Sequence, residues 1–160
     1  MNVRLRPAAI ILVIVALDRI SKLYILDHVS PWDVIPVIPS VFNIVHAENA
    51  GAAFSMLAGA PQYLRVTLLV GVSLLVMLVI GVVLWRLPKR ASLLTSTSLA
   101  MVFGGAFGNL WDRIFRGTVT DFLQVFIGSY EFPSFNVADS AITIGAALMV
   151  IDLWRSSKRA

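Results

Sequence analysis

There is no cysteine anywhere in this chain, and its only histidines are His28 and His46. Without cysteine there is no disulfide, no thiolate metal site and no sulfur nucleophile. Two histidines without HExxH spacing give a zinc centre little support. His46 and Glu48 share a face in an extended segment, but two ligands do not make a metal site. No Walker A run or GxSxG elbow is present, and the serines lack a matching histidine. Charge is scarce as well. Asp, Glu, Lys and Arg make up 14% of the residues, against about 25% in a soluble domain. Repeats, low-complexity stretches and flexible linkers are also missing, so residues 1–160 read as one domain.

What fills the chain instead is apolar: 58% of its residues are hydrophobic, which points to lipid as solvent. Four segments approach the roughly 20 residues needed to cross the hydrocarbon core. They run over about 7–26, 64–85, 91–111 and 137–154. The predicted fold is membrane α-helical, with four transmembrane helices. Eight of the thirteen basic residues flank these spans on one side: Arg4, Arg6, Arg86, Lys89, Arg90, Arg155, Lys158 and Arg159. The positive-inside bias makes that side cytoplasmic and places both termini there. Trp85, Trp111 and Trp154 mark span ends, where indoles favour the interface. The first span imitates a signal peptide, but it continues past Asp18 and Lys22 to Leu26 without a small-x-small site, so it reads as retained. The net charge of +4 forms no basic face, and no nucleic-acid partner is expected.

The outer segments, about 27–63 and 112–136, are not plain loops. Trp32–Ile38 alternates between prolines, Val41–Val45 is β-branched and aromatic, and Val119–Val125 has the same character. A small extracytoplasmic β-sheet against the membrane is predicted. Ala50, Gly51, Ala52 and Ala53 then permit close backbone approach.

Polar residues in so apolar a chain need a partner or a task. Asp18 and Lys22 are four apart, acid first, and share a helix face as an ion pair that makes burial tolerable. Gly104 and Gly108 form a small-xxx-small packing pair. Asn109 and Arg113 also share a face. Arg113 suits bidentate grip of a phosphate or a carbonyl, and Asn109 suits holding a peptide backbone. Asn136 and Asp139 have the form of an N-cap and a first-turn acid. Asp121 stands in the β-like segment that returns toward that helix start. Two carboxylates drawn together cannot both ionise cheaply, so they share a proton. One then acts as general base on a water; the other donates to the scissile carbonyl and later protonates the amine. The sequence does not assign which aspartate takes which role.

These residues fall in five motifs. They are Asp18-Arg19-Ile20-Ser21-Lys22, Asn49-Ala50-Gly51-Ala52-Ala53-Phe54-Ser55, Gly105 through Arg113, Val119-Thr120-Asp121-Phe122, and Phe135-Asn136-Val137-Ala138-Asp139. In this order, over nearly the whole length, the chain resembles the lipoprotein signal peptidases (signal peptidase II) of bacterial inner membranes. The resemblance implies an aspartic endopeptidase with Asp121 and Asp139 as catalytic dyad. It implies a four-helix bundle with a β-cradle, set in the inner (cytoplasmic) membrane with the site near the outer, periplasmic face. The implied substrates are diacylglyceryl-modified prolipoproteins, cleaved just before the lipidated cysteine. Asn49, Gly105, Asn109, Arg113 and Asn136 match positions expected to bind substrate or support the site, and Asp18 and Lys22 match supporting positions. The family usually has glutamine where Arg19 stands. No cofactor or metal is expected, so activity should persist in chelator. Membrane lipids are the other expected partner; an oligomeric partner is not predicted. The rival classes are a small ion-coupled transporter using the intramembrane acids as a relay, and an assembly subunit that leaves both aspartates unexplained. The halves show no inverted repeat of the kind transporters carry.

Overall fold

A computed structural model of the protein describes residues 5–51, 61–88 and 91–158. Arg4, Lys89, Arg90 and Arg159 of the orienting basic set, and Ala52, Ala53, Phe54 and Ser55 of the second motif, lie outside the described residues. The elements run α1 (Leu5–His28), β1 (Val34–Ile38), β2 (Phe42–Asn49), α2 (Gln62–Arg86), α3 (Leu93–Arg116), β3 (Val119–Ile127), β4 (Tyr130–Phe135) and α4 (Val137–Ser157).

Among the described residues three helices, α2, α3 and α4, are long and apolar enough to cross a membrane. They differ in what surrounds them. The apolar window of α2 is 6% buried within the protein, that of α3 56%. A uniformly apolar helix that protein does not cover needs another apolar solvent, and α2 fits lipid. α3 is the central element and packs against each of the other three helices. α1 is long, but it carries Asp18, Arg19 and Lys22 in its second half, with Asp18 and Lys22 fully buried.

Glycines let α3 occupy the centre. At Gly104 an added Cβ would sit 3.2 Å from Ile14 of α1. At Gly105 it would strike the Ala138 carbonyl of α4, and at Gly108 it would lie 2.5 Å from the Asp18 carboxylate. The Gly104–Gly108 seam predicted from spacing is therefore a three-helix junction.

α3 also extends beyond the predicted end at Trp111, continuing to Arg116. It stops at Gly117, whose φ of 77° gives the left-handed C-cap, with its N–H bonded to Arg113 O. Trp111 lies within the helix against Phe107 and Phe115, with the Arg19 guanidinium over its ring.

The four strands form one antiparallel sheet in the order β1-β2-β3-β4. β1, β2 and β3 fall where predicted; β4 was not foreseen. The edge strands each hold a proline beside a register irregularity, Pro36 in β1 and Pro133 in β4. Proline is tolerated there because edge strands have N–H groups without ladder partners. A further bulge lies in β2 between Ile44 and Ala47, before Glu48 pairs with Thr120 and Asn49 with Val119. Ile25 and Val29 pack on Phe122, fixing the sheet to the end of α1.

Candidate active site

Asp121 lies on β3 and Asp139 in the first turn of α4. Both line one cavity of about 910 Å³, together with Asn49, Gly51 and Arg113. Its remaining wall combines apolar residues, including Phe132, Phe135 and Ile142, with Glu48, Arg65 and Ser140.

Three asparagines hold the two carboxylates, Asn136 touching both, and each amide's orientation is fixed by its partners. Asn136 caps α4 in a capping box: its Oδ1 accepts from Asp139 N at 2.9 Å, and Asp139 Oδ2 accepts from Asn136 N at 3.3 Å. Its Nδ2 is thereby turned toward Asp121 Oδ1, at 2.7 Å. Asn49 Oδ1 accepts from Gly51 N, which leaves its Nδ2 to donate to Asp121 Oδ2, both at 3.0 Å. Asn109 Oδ1 accepts from Lys22 Nζ at 3.0 Å, and its Nδ2 donates to Asp139 Oδ1 at 2.7 Å. An ammonium can only donate and a carboxylate can only accept, so no flipped amide satisfies these neighbours. Asn109 therefore holds the aspartate and the lysine together.

Beneath this layer lies a buried charge cluster. Lys22 Nζ is 2.9 Å from Asp18 Oδ2 and 2.9 Å from Asp112 Oδ2, and all three side chains are fully buried. Arg19 pairs with the other oxygen of Asp112. Two carboxylates thus meet two cations, which is the condition for tolerating them inside. Asp18 Oδ1 accepts from Ala138 N at 3.0 Å, one residue before Asp139. Of the expected site residues, Asp18, Lys22, Asn109, Asn136, Asp121, Asp139 and Asn49 are joined in one hydrogen-bonded set. Gly105 is in the helix seam behind it. Arg113 donates long bonds to Gly51 O (3.4 Å) and Asn109 O (3.5 Å) and feels the charges of both Asp139 and Asp121. Sequence reasoning missed Asp112 and the role of Arg19. Both stood inside quoted motifs, but no spacing rule joins Arg19 on α1 to Asp112 on α3.

Burial pushes the Asp121 carboxyl up from its ordinary 3.8 to about 6, and the negative charge of Asp139 adds to this. The Asn49 and Asn136 amides and the Lys22 ammonium pull the other way. Among the described residues no group of three or more His, Cys, Asp or Glu could hold a metal.

Residues 10–155 match the family model described as signal peptidase (SPase) II. The lipoprotein signal peptidase of Syntrophus aciditrophicus (strain SB) is 42% identical over 147 residues, covering 91% of this chain and 89% of the relative. That of Solibacter usitatus (strain Ellin6076) is 38% identical over 159 residues, covering 99% and 96%. Two solved bacterial membrane enzymes, both determined in meso, share the fold. One, at 2.3 Å, has a TM-score of 0.87 and 29% identity, covering 96% of this chain and 90% of its own. The other, at 1.9 Å, has a TM-score of 0.81 and 30% identity, covering 92% of each. The chain is a multi-pass membrane protein and belongs to the signal peptidase II family of proteases.

Proposed function

We propose that this protein removes the signal peptide from diacylglyceryl-modified prolipoproteins, cleaving before the lipidated cysteine, and does so as an aspartic endopeptidase through Asp121 and Asp139. The family match supports the substrate class. The observation that carries the mechanism is the bridge at Asn136: one side chain accepts from Asp139 N and donates to Asp121, with both acids on one cavity.

The raised pKa of Asp121 supports a division of labour. Asp121, with its pKa raised to about 6, keeps the proton. It donates to the scissile carbonyl and then passes the proton to the leaving amine. Asp139, held by Asn109 and by Asn136 N, is the base of the pair. It takes a proton from water, which attacks the carbonyl carbon. Arg113 balances the negative charge of the pair. The apolar wall offers acyl chains a lateral approach, and the rim of β2 and β4 suits an extended peptide. Each step needs only these side chains and water.

The same reading takes residues 1–160 as one domain. α1 crosses as a fourth span despite its charges, because Asp18 and Lys22 neutralise each other inside. Both termini are then cytoplasmic in the inner membrane, and the sheet and cavity lie at the periplasmic face. Arg6, Arg86, Arg155 and Lys158, all at the helix ends away from the sheet, support that orientation.

Purified protein in detergent, given a diacylglyceryl-lipopeptide, should release the signal peptide. Asp121→Asn and Asp139→Asn should each release none while remaining folded. A transporter or an assembly subunit would leave the lipopeptide intact. Near-normal turnover by either variant would remove that residue from the dyad.

A further inference from the structure

A second polar cluster, not used by the mechanism above, surrounds Glu48. Glu48 Oε1 accepts from Arg116 Nη2 at 2.9 Å and from the Thr120 hydroxyl at 3.3 Å, and lies 3.2 Å from His46 Nε2. Its other oxygen accepts from the Thr118 hydroxyl. Arg116 also donates to Thr120 Oγ1 at 2.6 Å, and His46 Nδ1 lies 2.7 Å from Val29 O. Among the described residues, no hydrogen bond joins these side chains to Asp121 or Asp139. Successive strand residues point to opposite faces, so the Glu48 and Thr120 side chains leave the sheet opposite the face on which Asn49 meets Asp121, with Glu48 at the edge of the cavity.

That alternation gives the cluster its importance. The β2–β3 ladder ends at Asn49 opposite Val119, just after the bulge between Ile44 and Ala47. A bulge marks where one strand carries an extra residue. A slip by one position would turn Asn49 to the wrong face and bring Glu48 toward the carboxylates. Glu48 opposes this slip. It grips Thr118, in the turn before β3, and Thr120 on β3, and through Arg116 it fixes the end of β2 to the last turn of α3. Burial alone would raise its pKa, but Thr118, His46 and Arg116 hold the carboxyl below the usual range, so it stays ionised and accepts only.

We propose that Glu48 is a positioning residue for the peptidase: its clamp on Arg116, Thr118 and Thr120 holds the β2 register that brings the Asn49 amide to Asp121. The proposal rests on Asp121 and Asp139 being the catalytic pair. A misplaced catalytic support reduces the chemical step while substrate binding persists.

The test is a double-mutant cycle on lipopeptide cleavage, with thermal unfolding measured on every variant. Glu48→Ala should lower kcat about tenfold with KM within about twofold. Asn49→Ala should lower kcat at least as much. The double variant should be no slower than Asn49→Ala alone, because Glu48 acts through Asn49. Glu48→Gln retains one carbonyl acceptor and should recover part of the loss. If Glu48→Ala does not fold, Glu48→Gln and Arg116→Gln serve in the same cycle. Wild-type kcat in the Glu48 variants, a loss confined to KM, or losses that multiply with Asn49→Ala would each overturn the assignment. Asp121→Asn is run alongside. If it cleaves, the dyad itself is wrong; if it is dead while Glu48→Ala is normal, only the Glu48 role fails.

Discussion

Replacing Asp121 by asparagine should end cleavage and, at pH 8, make the protein harder to unfold. The Asp121 pKa rises from 3.8 to about 6 on folding. At 1.36 kcal/mol per pKa unit this rise is a cost of about 3 kcal/mol to the folded state. The cost is absent below about pH 4, where the group is neutral whether folded or unfolded. It grows as the unfolded chain ionises first, and is complete above about pH 6. An asparagine never ionises and escapes it. It does lose something: the Asn49 and Asn136 amides both donate to Asp121, and a single amide oxygen replaces two carboxylate oxygens. One unsatisfied donor costs about 1–2 kcal/mol. The net is a gain of about 1–2 kcal/mol at pH 8, and a loss of similar size near pH 4. Unfolding followed by the fluorescence of the four tryptophans in one detergent, at both pH values, measures the difference. A variant less stable than wild type at pH 8, or one whose offset ignores pH, would show that Asp121 is not held in a costly ionised state.

Other perturbations probe different parts of the site. If Asp121 must hold its proton in the free enzyme, kcat/KM should fall as pH rises through about 6, where Asp121 ionises; a flat profile from pH 5 to 8 contradicts its role as acid. Lys22→Met should cost about 3–5 kcal/mol by leaving buried carboxylates without their cation, read as lost yield and melting temperature. Adding Asp18→Asn to it should restore part of that loss, and a stable single variant would refute the pairing. Gly105→Ala puts a methyl against the Ala138 carbonyl and 2.8 Å from Ile142. It should lower both melting temperature and turnover, because backbone at the start of α4 must move and Asp139 with it; unchanged activity would show that this seam does not set the aspartate's position.

Local patterns were legible in the sequence wherever one element carried them. Asp18 and Lys22 lie one turn apart on α1, and their 2.9 Å pair follows from helix geometry. The Asn136–Asp139 cap follows from the same short-range logic. β1, β2 and β3 were visible through β-branched runs and prolines. What the sequence hid depended on distant partners. Asp112 meets Lys22 and Arg19 only because α1 and α3 cross there. Tyr130–Phe135 concealed a strand because Pro133 argues against one unless it lies on an edge. The pairing of His46 with Glu48 was foreseeable from their shared face. The arrival of Arg116 was not, because Trp111 looked like the end of a helix that runs on to Arg116.

Asn136 answers to two demands at once. Starting a helix is permissive: serine, threonine, aspartate and asparagine all serve at that position. Offering a hydrogen to Asp121 while accepting one from Asp139 N is selective. Aspartate would bring a third negative charge, and a hydroxyl is too short to span both neighbours. Only the carboxamide meets both requirements. A substitution there that looks harmless by helix-forming criteria would preserve the architecture and silence the chemistry, which makes this position a sensitive place to separate foldedness from turnover.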